Sequence, residues 1–412
     1  MAVIAFTSEN ETDRAKNILD KFNLLQNSDG SWDQCYSAND AGVCAYNRQT
    51  GDISWLIMAI NYYEYYTGDD NYSYMAIKAL NFLDTLRDAN PTNETYGALV
   101  MYPNSTAYST ENNYDAYSAY YHRGILSKNY SFIEKANLIK NYLITEMWSN
   151  SSESNNLNPH PDVFWVGYNN FGYYTDPQSW GVLSLGAYGP NGENFTRALE
   201  WLYLYGYGYN STRHNQTYNT EIDGFDFWTK PVKNSTWLEG TEGVAAAYYS
   251  IGDNEMGDYF HNQTKKVISA NGGIIYSFSE TNALDIRYPD NFRHNSIAST
   301  VWYYLNEKKI NPFKLNLTLD VFCDANDNCS GNQVCNYSTR LCQDLNCQID
   351  YEPFNHHCYH NCDLNYDKIH FHDYDDLMLA YKCFLGINKN CSNNYQNWEY
   401  MKKEYQCFVN NK

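Results

Sequence analysis

Five times between residues 50 and 300 the chain opens a helix with a similar run of small, polar and aromatic residues: TGDISW at 50–55, STENNYDAY at 109–117, YTDPQSW at 174–180, WLEGTEG at 237–243 and RHNSIAST at 293–300. With Asp52, Glu111, Asp176, Glu239 and Arg293 as markers, the steps are 59, 65, 63 and 54 residues. A period near 60 is too long for one helix and a loop, but it fits a helical hairpin with a long connection. The helices that carry these openings are small and aromatic nearly all round, as helices buried on both sides read. A more amphipathic helix follows in each interval, at about 73–88, 130–146, 193–206 and 254–268; Ala79, Phe82, Leu83 and Leu86 make one such stripe. Hairpins with inner and outer members that close on themselves make an all-α toroid. With a segment near 12–26 pairing the first inner helix, the count is five to six, an (α/α)6 toroid.

After Asn311-Pro312-Phe313 the composition shifts to Asn, Asp and Cys, which places a boundary near 318: a toroid over 1–318 and a second module over 319–412. Cys35 and Cys44 alone precede residue 320, whereas Cys323, Cys329, Cys335, Cys342, Cys347, Cys358, Cys362, Cys383, Cys391 and Cys407 crowd into the tail. Such crowding predicts a small disulfide-stapled domain in an oxidising compartment, each bridge contributing ~3 kcal/mol. A zinc site is the weaker reading. His356, His357 and His360 neighbour Cys358 and Cys362, but no second pair answers them. Asp324, Asn326, Asp327 and Asn328 offer oxygen ligands as calcium loops do; no Glu follows at the twelfth position, so solvated turn residues are expected. The run His370 to Asp376 reads as a surface turn. No metal and no cofactor is expected.

Asn-x-Ser/Thr triplets begin at Asn10, Asn71, Asn93, Asn104, Asn129, Asn150, Asn194, Asn210, Asn215, Asn234, Asn262, Asn316, Asn328, Asn336 and Asn390. From 53 Asn and 51 Ser plus Thr in 412 residues, chance gives roughly 6 to 7. The excess predicts an N-glycosylated, exported protein at or beyond the cell surface, although an Asn-rich chain also makes such triplets cheaply. The start MAVIAFTSEN has a short apolar stretch and no basic segment, so it is no secretory signal, and a leader is expected to be missing or removed. A formal charge of −20 leaves no basic face for nucleic acid or an anionic membrane, and no apolar run approaches a membrane span.

The ordered motifs resemble the six-hairpin glycosidase-like superfamily, in particular exported proteins with a TG-x-x-(A/S)W element (here Thr50 to Trp55), ST-E-x-N-x-DAY (Ser109 to Tyr117), D-x-QSWG (Asp176 to Gly181), W-x-EGT (Trp237 to Thr241), STxW (Ser299 to Trp302) and NPF (Asn311 to Phe313). The resemblance covers about 300 residues and implies an α/α toroid that acts on carbohydrate or descends from proteins that do.

Inner-helix N-termini converge on one mouth of such a toroid, so Asp52, Glu111, Asp115, Asp176, Glu239 and Glu242 are expected around one cleft. Glycoside hydrolysis needs one protonated and one ionised carboxyl. A cleft lined by Trp55, Tyr117, Trp165, Trp180, Trp228 and Trp237 would raise the acid's pKa by desolvation and offer platforms for sugar rings. Glu239 is the expected acid, Asp115 or Asp176 the base. Blander explanations compete: Asp176 precedes Pro177 and Asp52 follows Gly51 at helix starts, as capping residues do, and Glu111, two residues after Ser109, suits first-turn charge complementarity. His122 and Arg123, or Arg293 and His294, would suit a lyase, but an acidic protein attracts anionic polymers poorly.

Two functions follow. One is a structural glycoprotein that self-assembles into a filament or surface layer. Glycan density, 42 Tyr and a stapled tail favour it, and the apolar AVIAF start could add a strand to a neighbour. The other is a secreted glycoside hydrolase. The balance of sequence features leans slightly to the first.

Overall fold

The computed structural model describes residues 1–37, 42–45, 47–149, 162–172, 174–204, 209–215, 220–227, 235–279 and 295–315, with the backbone alone at 44, 209–215 and 279, and four further short strands in backbone. The chain divides into two units, Met1–Leu317 and Thr318–Lys412.

In the first unit eleven α-helices are described, besides a π-helical turn at Leu143–Met147: α1 (Ala2–Ser8), α2 (Thr12–Leu25), α3 (Thr50–Thr67), α4 (Ser73–Asp84), α5 (Thr110–Leu126), α6 (Tyr130–Tyr142), α7 (Thr175–Leu185), α8 (Arg197–Leu204), α9 (Leu238–Ser250), α10 (Asn254–Lys265) and α11 (Ile297–Glu307). The odd-numbered helices touch in a closed cycle, α1 to α3 to α5 to α7 to α9 to α11 and back to α1, while the even-numbered ones pack outside their partners. This is the α/α toroid. α3, α5, α7 and α9 bury residues on every side, polar ones included, whereas α2 and α10 bury one stripe. Caps fall where the sequence supplies them: Ser109, Asp253 and Ser296 side chains accept from backbone N–H groups of α5, α10 and α11, and Gly68 at φ 70° ends α3.

The AVIAF start does not form a strand. It is the helix α1, with Val3 and Ile4 buried, and it completes the ring between α3 and α11. Its backbone donors are used within the helix, as in Ala5 N to Met1 O, so it offers no strand edge. α8 begins later than the apolar pattern suggests because Asn194 Oδ1 accepts from the backbone and hydroxyl of Thr196 and holds a turn there. The described strands form two-stranded antiparallel pairs, the longest among them being Tyr209–Asn215 with Thr220–Phe225.

The middle of the ring is filled with aromatic rings. Trp55, Trp180, Trp302 and Phe313 lie with centroids 5.2 to 6.4 Å apart, Trp180 stacked on Trp302 and Phe313 edge-on to Trp55. Phe313 belongs to the 311–315 segment, which Asn311 pins to the Leu183 carbonyl and Leu315 N–H to His122 Nε2.

In the second unit, Gln333–Asn336 pairs with Leu341–Asp344, Cys335 opposite Cys342, and Tyr351–Phe354 pairs with His357–His360. Cys358 lies in the last of these strands; the other tail cysteines, the Asp324–Asn328 loop and residues 370–376 lie outside the described residues.

Candidate active site

The site is built by helix N-termini. Counting from each N-cap, Glu111, Asp176 and Glu239 all occupy the second helical position, of α5, α7 and α9, and Asp52 the third position of α3. Asp115 stands one turn below Glu111. None of these carboxylates caps its helix. Ser109 caps α5, Tyr174 and Trp237 are the N-cap residues of α7 and α9 without side-chain bonds, and Pro177 sits third in α7 rather than first. The capping explanation of Asp52 and Asp176 therefore fails, while Glu111 does lie in the first turn of α5, where a carboxylate complements the helix N-terminus.

The five groups crowd one another. Burial raises Glu111 to about 7, helped by the charge of Asp52, and raises Glu239 to about 7, helped by Glu111. Asp115, 1% exposed, and Asp176, 3% exposed, are pushed well above the usual carboxylate range, first by burial and then by their neighbours: Glu111 and Asp52 for Asp115; Glu111, Glu239 and Asp115 for Asp176. Asp52 stands exposed at the rim, yet the protein around it lifts its carboxyl to about 6. A helix N-terminus ordinarily favours a carboxylate by ~0.3–1 kcal/mol. Here desolvation and mutual repulsion outweigh it. Among the described residues no Lys, Arg or His counters any of the five.

Close helix approach sets the geometry. A Cβ on Gly51 would lie 2.7 Å from Asn112 Oδ1 and 3.1 Å from Asp115 Oδ2, so only glycine lets α3 sit against this part of α5. Asp115 Oδ1, Asp176 Oδ1, Asn112 Nδ2 and Trp237 Nε1 are buried without a hydrogen-bond partner among the described residues. Beside Asp176 and Glu239 stands an aromatic wall: Tyr174 stacks on Phe227 at 5.1 Å, and Phe227 is edge-on to Trp237 at 4.9 Å. Thr175 fastens this wall to α7, its hydroxyl donating to the Asp226 carbonyl at 2.6 Å.

Other expected site residues go elsewhere. Glu242 is fully buried and faces away from the acids, accepting from Asn306 Nδ2 at 2.6 Å and bonding His261 Nδ1 at 2.9 Å; it is a structural carboxylate joining α9, α10 and α11. Trp180 and Trp55 belong to the interior stack, and Tyr117 is buried against Tyr121. Trp165 is buried edge-on to Phe171. Trp237 is at the site; Trp228, Arg293 and His294 lie outside the described residues. The His122–Arg123 pair is not a lyase centre. Arg123, 1% exposed, is clamped bidentately to Glu64 at 2.5 and 2.7 Å, and burial lowers His122 to about 3, leaving it a neutral acceptor for Leu315 N–H.

Among the described residues no group of three or more His, Cys, Asp or Glu could hold a metal ion, and no helix is long and apolar enough to cross a membrane. Cys35 is disulfide-bonded, and no described cysteine is free. The side chains of Asn10, Asn71, Asn93, Asn104, Asn129 and Asn262 are exposed and that of Asn194 is half-buried; the other triplets lie beyond the described side chains.

Glu111 and Asp52, which the sequence places at the cleft without a chemical role, are electrostatic neighbours of Asp115, and Glu111 also of Asp176 and Glu239. The signal for Glu111 was present: with Ser109 as N-cap, a capping box would need its acid at position 112, which is Asn.

No protein-family model matches the chain, and no curated protein matches it in sequence. Solved structures match in fold. A glycosidase carrying a Glu-to-Ala substitution aligns over 74% of this chain and 85% of its own, at 8% identity and TM-score 0.53. A D-mannose isomerase (69% and 78% covered, 11% identity, TM-score 0.49) and a glycoside hydrolase family 76 mannosidase from Bacteroides thetaiotaomicron (74% and 84%, 9%, 0.47) also align.

Proposed function

We propose that the first unit is a glycoside hydrolase whose active site is the bowl formed by Glu239, Asp176, Glu111, Asp115 and Asp52. One observation carries this reading: five carboxyl groups from four helices are gathered, partly dehydrated and without a described counter-ion. Such a cluster costs folding stability, and perturbed acids of this kind concentrate at functional sites. The aligned glycosidase of like fold is consistent with it.

The cluster has the electrostatics that glycosidic cleavage requires. When one member ionises, its charge strengthens the hold of its neighbours on their protons, so the group titrates as a unit and keeps acid and base forms together near neutral pH. Glu239, raised to about 7 and only part-buried, is the general acid. It gives its proton to the leaving glycosidic oxygen while water attacks the anomeric carbon. Asp176, next to it electrostatically, takes the proton from that water in the molecules where the shared negative charge rests on it; burial pushes its own carboxyl up strongly, so the coupling with Asp115 and Glu111 sets which member of the pair is ionised. Tyr174 and Phe227, half-buried beside the buried Trp237, supply a face for the sugar ring.

The test is a panel of α- and β-linked oligosaccharides incubated with the wild type, Glu239→Gln and Asp176→Asn. Cleavage by the wild type, reduced about 100-fold or more in both variants, supports the reading; wild-type rates in folded variants refute the assignment. Export and N-glycosylation are proposed alongside it, supported by the exposure of six triplet asparagines. The expectation of self-assembly rests on sequence features alone.

A further inference from the structure

At the opposite rim, where α1, α3 and α11 end, lies a cavity of about 560 Å³ lined by Thr7, Ser8, Asn10, Tyr66, Thr67 and Lys308 among others. Its size is that of a small-ligand site, and its lining mixes hydroxyls, an ammonium and phenol rings. Tyr66 is 53% exposed and packs on Tyr62 at 4.3 Å. Asn10 and Thr12, the first and third residues of one glycosylation triplet, both line the cavity. Asn10 sits at φ 61° on the turn between α1 and α2, exposed, with no side-chain bond to any described residue.

We infer that Asn10 carries an N-linked glycan whose first sugar residues lie in this cavity against Tyr66. The modification joins Asn10 Nδ2 to the anomeric carbon of an oligosaccharide carried on a lipid diphosphate. The C–O bond to the diphosphate breaks, the diphosphate leaves with the electron pair, and the amide nitrogen gives up one proton. The left-handed turn presents the amide at the cavity's edge, and the exposed phenol ring offers a stacking face for an N-acetylhexosamine. The Lys308 ammonium, paired with Glu9, has further N–H groups for the acetyl oxygen, and the Ser8 and Thr67 hydroxyls, which donate to the Ala5 and Tyr63 carbonyls, can accept from sugar hydroxyls. Asn262, exposed on α10 and lining no described cavity, lacks such a seat. The inference depends on export and is independent of the hydrolase reading.

The full chain is secreted from a glycosylating eukaryotic host behind a supplied leader, and occupancy is read by glycopeptide mass spectrometry. Glycan release by an endoglycosidase is then timed on the native protein. Asn10 occupied, with its glycan released about tenfold more slowly than that of Asn262, is the expected result, tenfold corresponding to ~1.4 kcal/mol of seating. Tyr66→Ala should bring the two rates together, and Asn10→Gln should remove the slow fraction while the fold is kept. An unmodified Asn10, or equal release rates in the wild type, overturns the inference.

Discussion

Glu239→Gln should abolish hydrolysis and at the same time stabilise the protein at alkaline pH. The unfolded chain releases this proton near the ordinary value of 4.5, the folded chain near 7. Between those values the folded state holds a proton that the unfolded state has lost, so stability falls as pH rises and the full cost is present above 7. A shift of 2.5 units, at ~1.36 kcal/mol each, sets a ceiling of about 3.4 kcal/mol. Partial exposure and sharing of the repulsion with Glu111 reduce this to about 1–3 kcal/mol. With an unfolding entropy of about 2.1 cal/mol/K per residue over the 317-residue unit, the gain is roughly 2–4 °C in Tm. Calorimetry at pH 8 and pH 4 is the assay: the variant should melt higher than the wild type at pH 8 and equal it at pH 4. A variant that keeps its fold but melts lower at pH 8, or retains the wild-type pH dependence, would refute the claim that this carboxyl is crowded and unpaired.

Asp115→Asn, in the same crowd, should raise Tm at pH 8 as well, measured by the same scans; a fall would mean that a cation outside the described residues compensates it. Arg123→Met leaves Glu64 dehydrated and unpaired and should cost about 3–5 kcal/mol in urea unfolding; a cost below about 1 kcal/mol would show the clamp to be dispensable. Phe313→Ala empties the centre of the Trp55, Trp180 and Trp302 cluster and should also cost about 3–5 kcal/mol, a near-neutral result arguing against the plug. Burial lowers the His261 pKa, but its bonds to Glu242 and Glu307 prevail and raise it above 6.5. Its contribution is thus complete below pH 6.5 and lost as pH climbs through the raised value. Glu242→Gln should shift that loss to lower pH in NMR titration of the imidazole; an unmoved titration would break the link.

Much of this architecture was legible because it is periodic. Helices buried all round repeat every 60 residues or so, and acids recur at matching places in their first turns, so the gathering of Asp115, Asp176 and Glu239 followed from hairpins closing in a ring. α1 escaped because a short apolar run without caps looks the same as a strand until the gap between α3 and α11 is known. Glu242 was misplaced for a related reason. It lies three residues from Glu239, yet its partners His261 and Asn306 come from helices 19 and 64 residues onward, and only the folded arrangement shows which way it turns. Trp180 follows Asp176 by one turn, and that step takes it below the bowl into a stack completed by Trp302 and Phe313 from the far end of the unit.

The account stands most directly on where a sugar chain binds. Crystals of Glu239→Gln soaked with an oligosaccharide that the wild type cleaves should show a glycosidic oxygen beside residue 239, a ring against Tyr174 or Phe227, and Asp176 on the other side of the anomeric carbon. Sugar bound elsewhere, with these carboxyl groups apart and facing solvent, would contradict it.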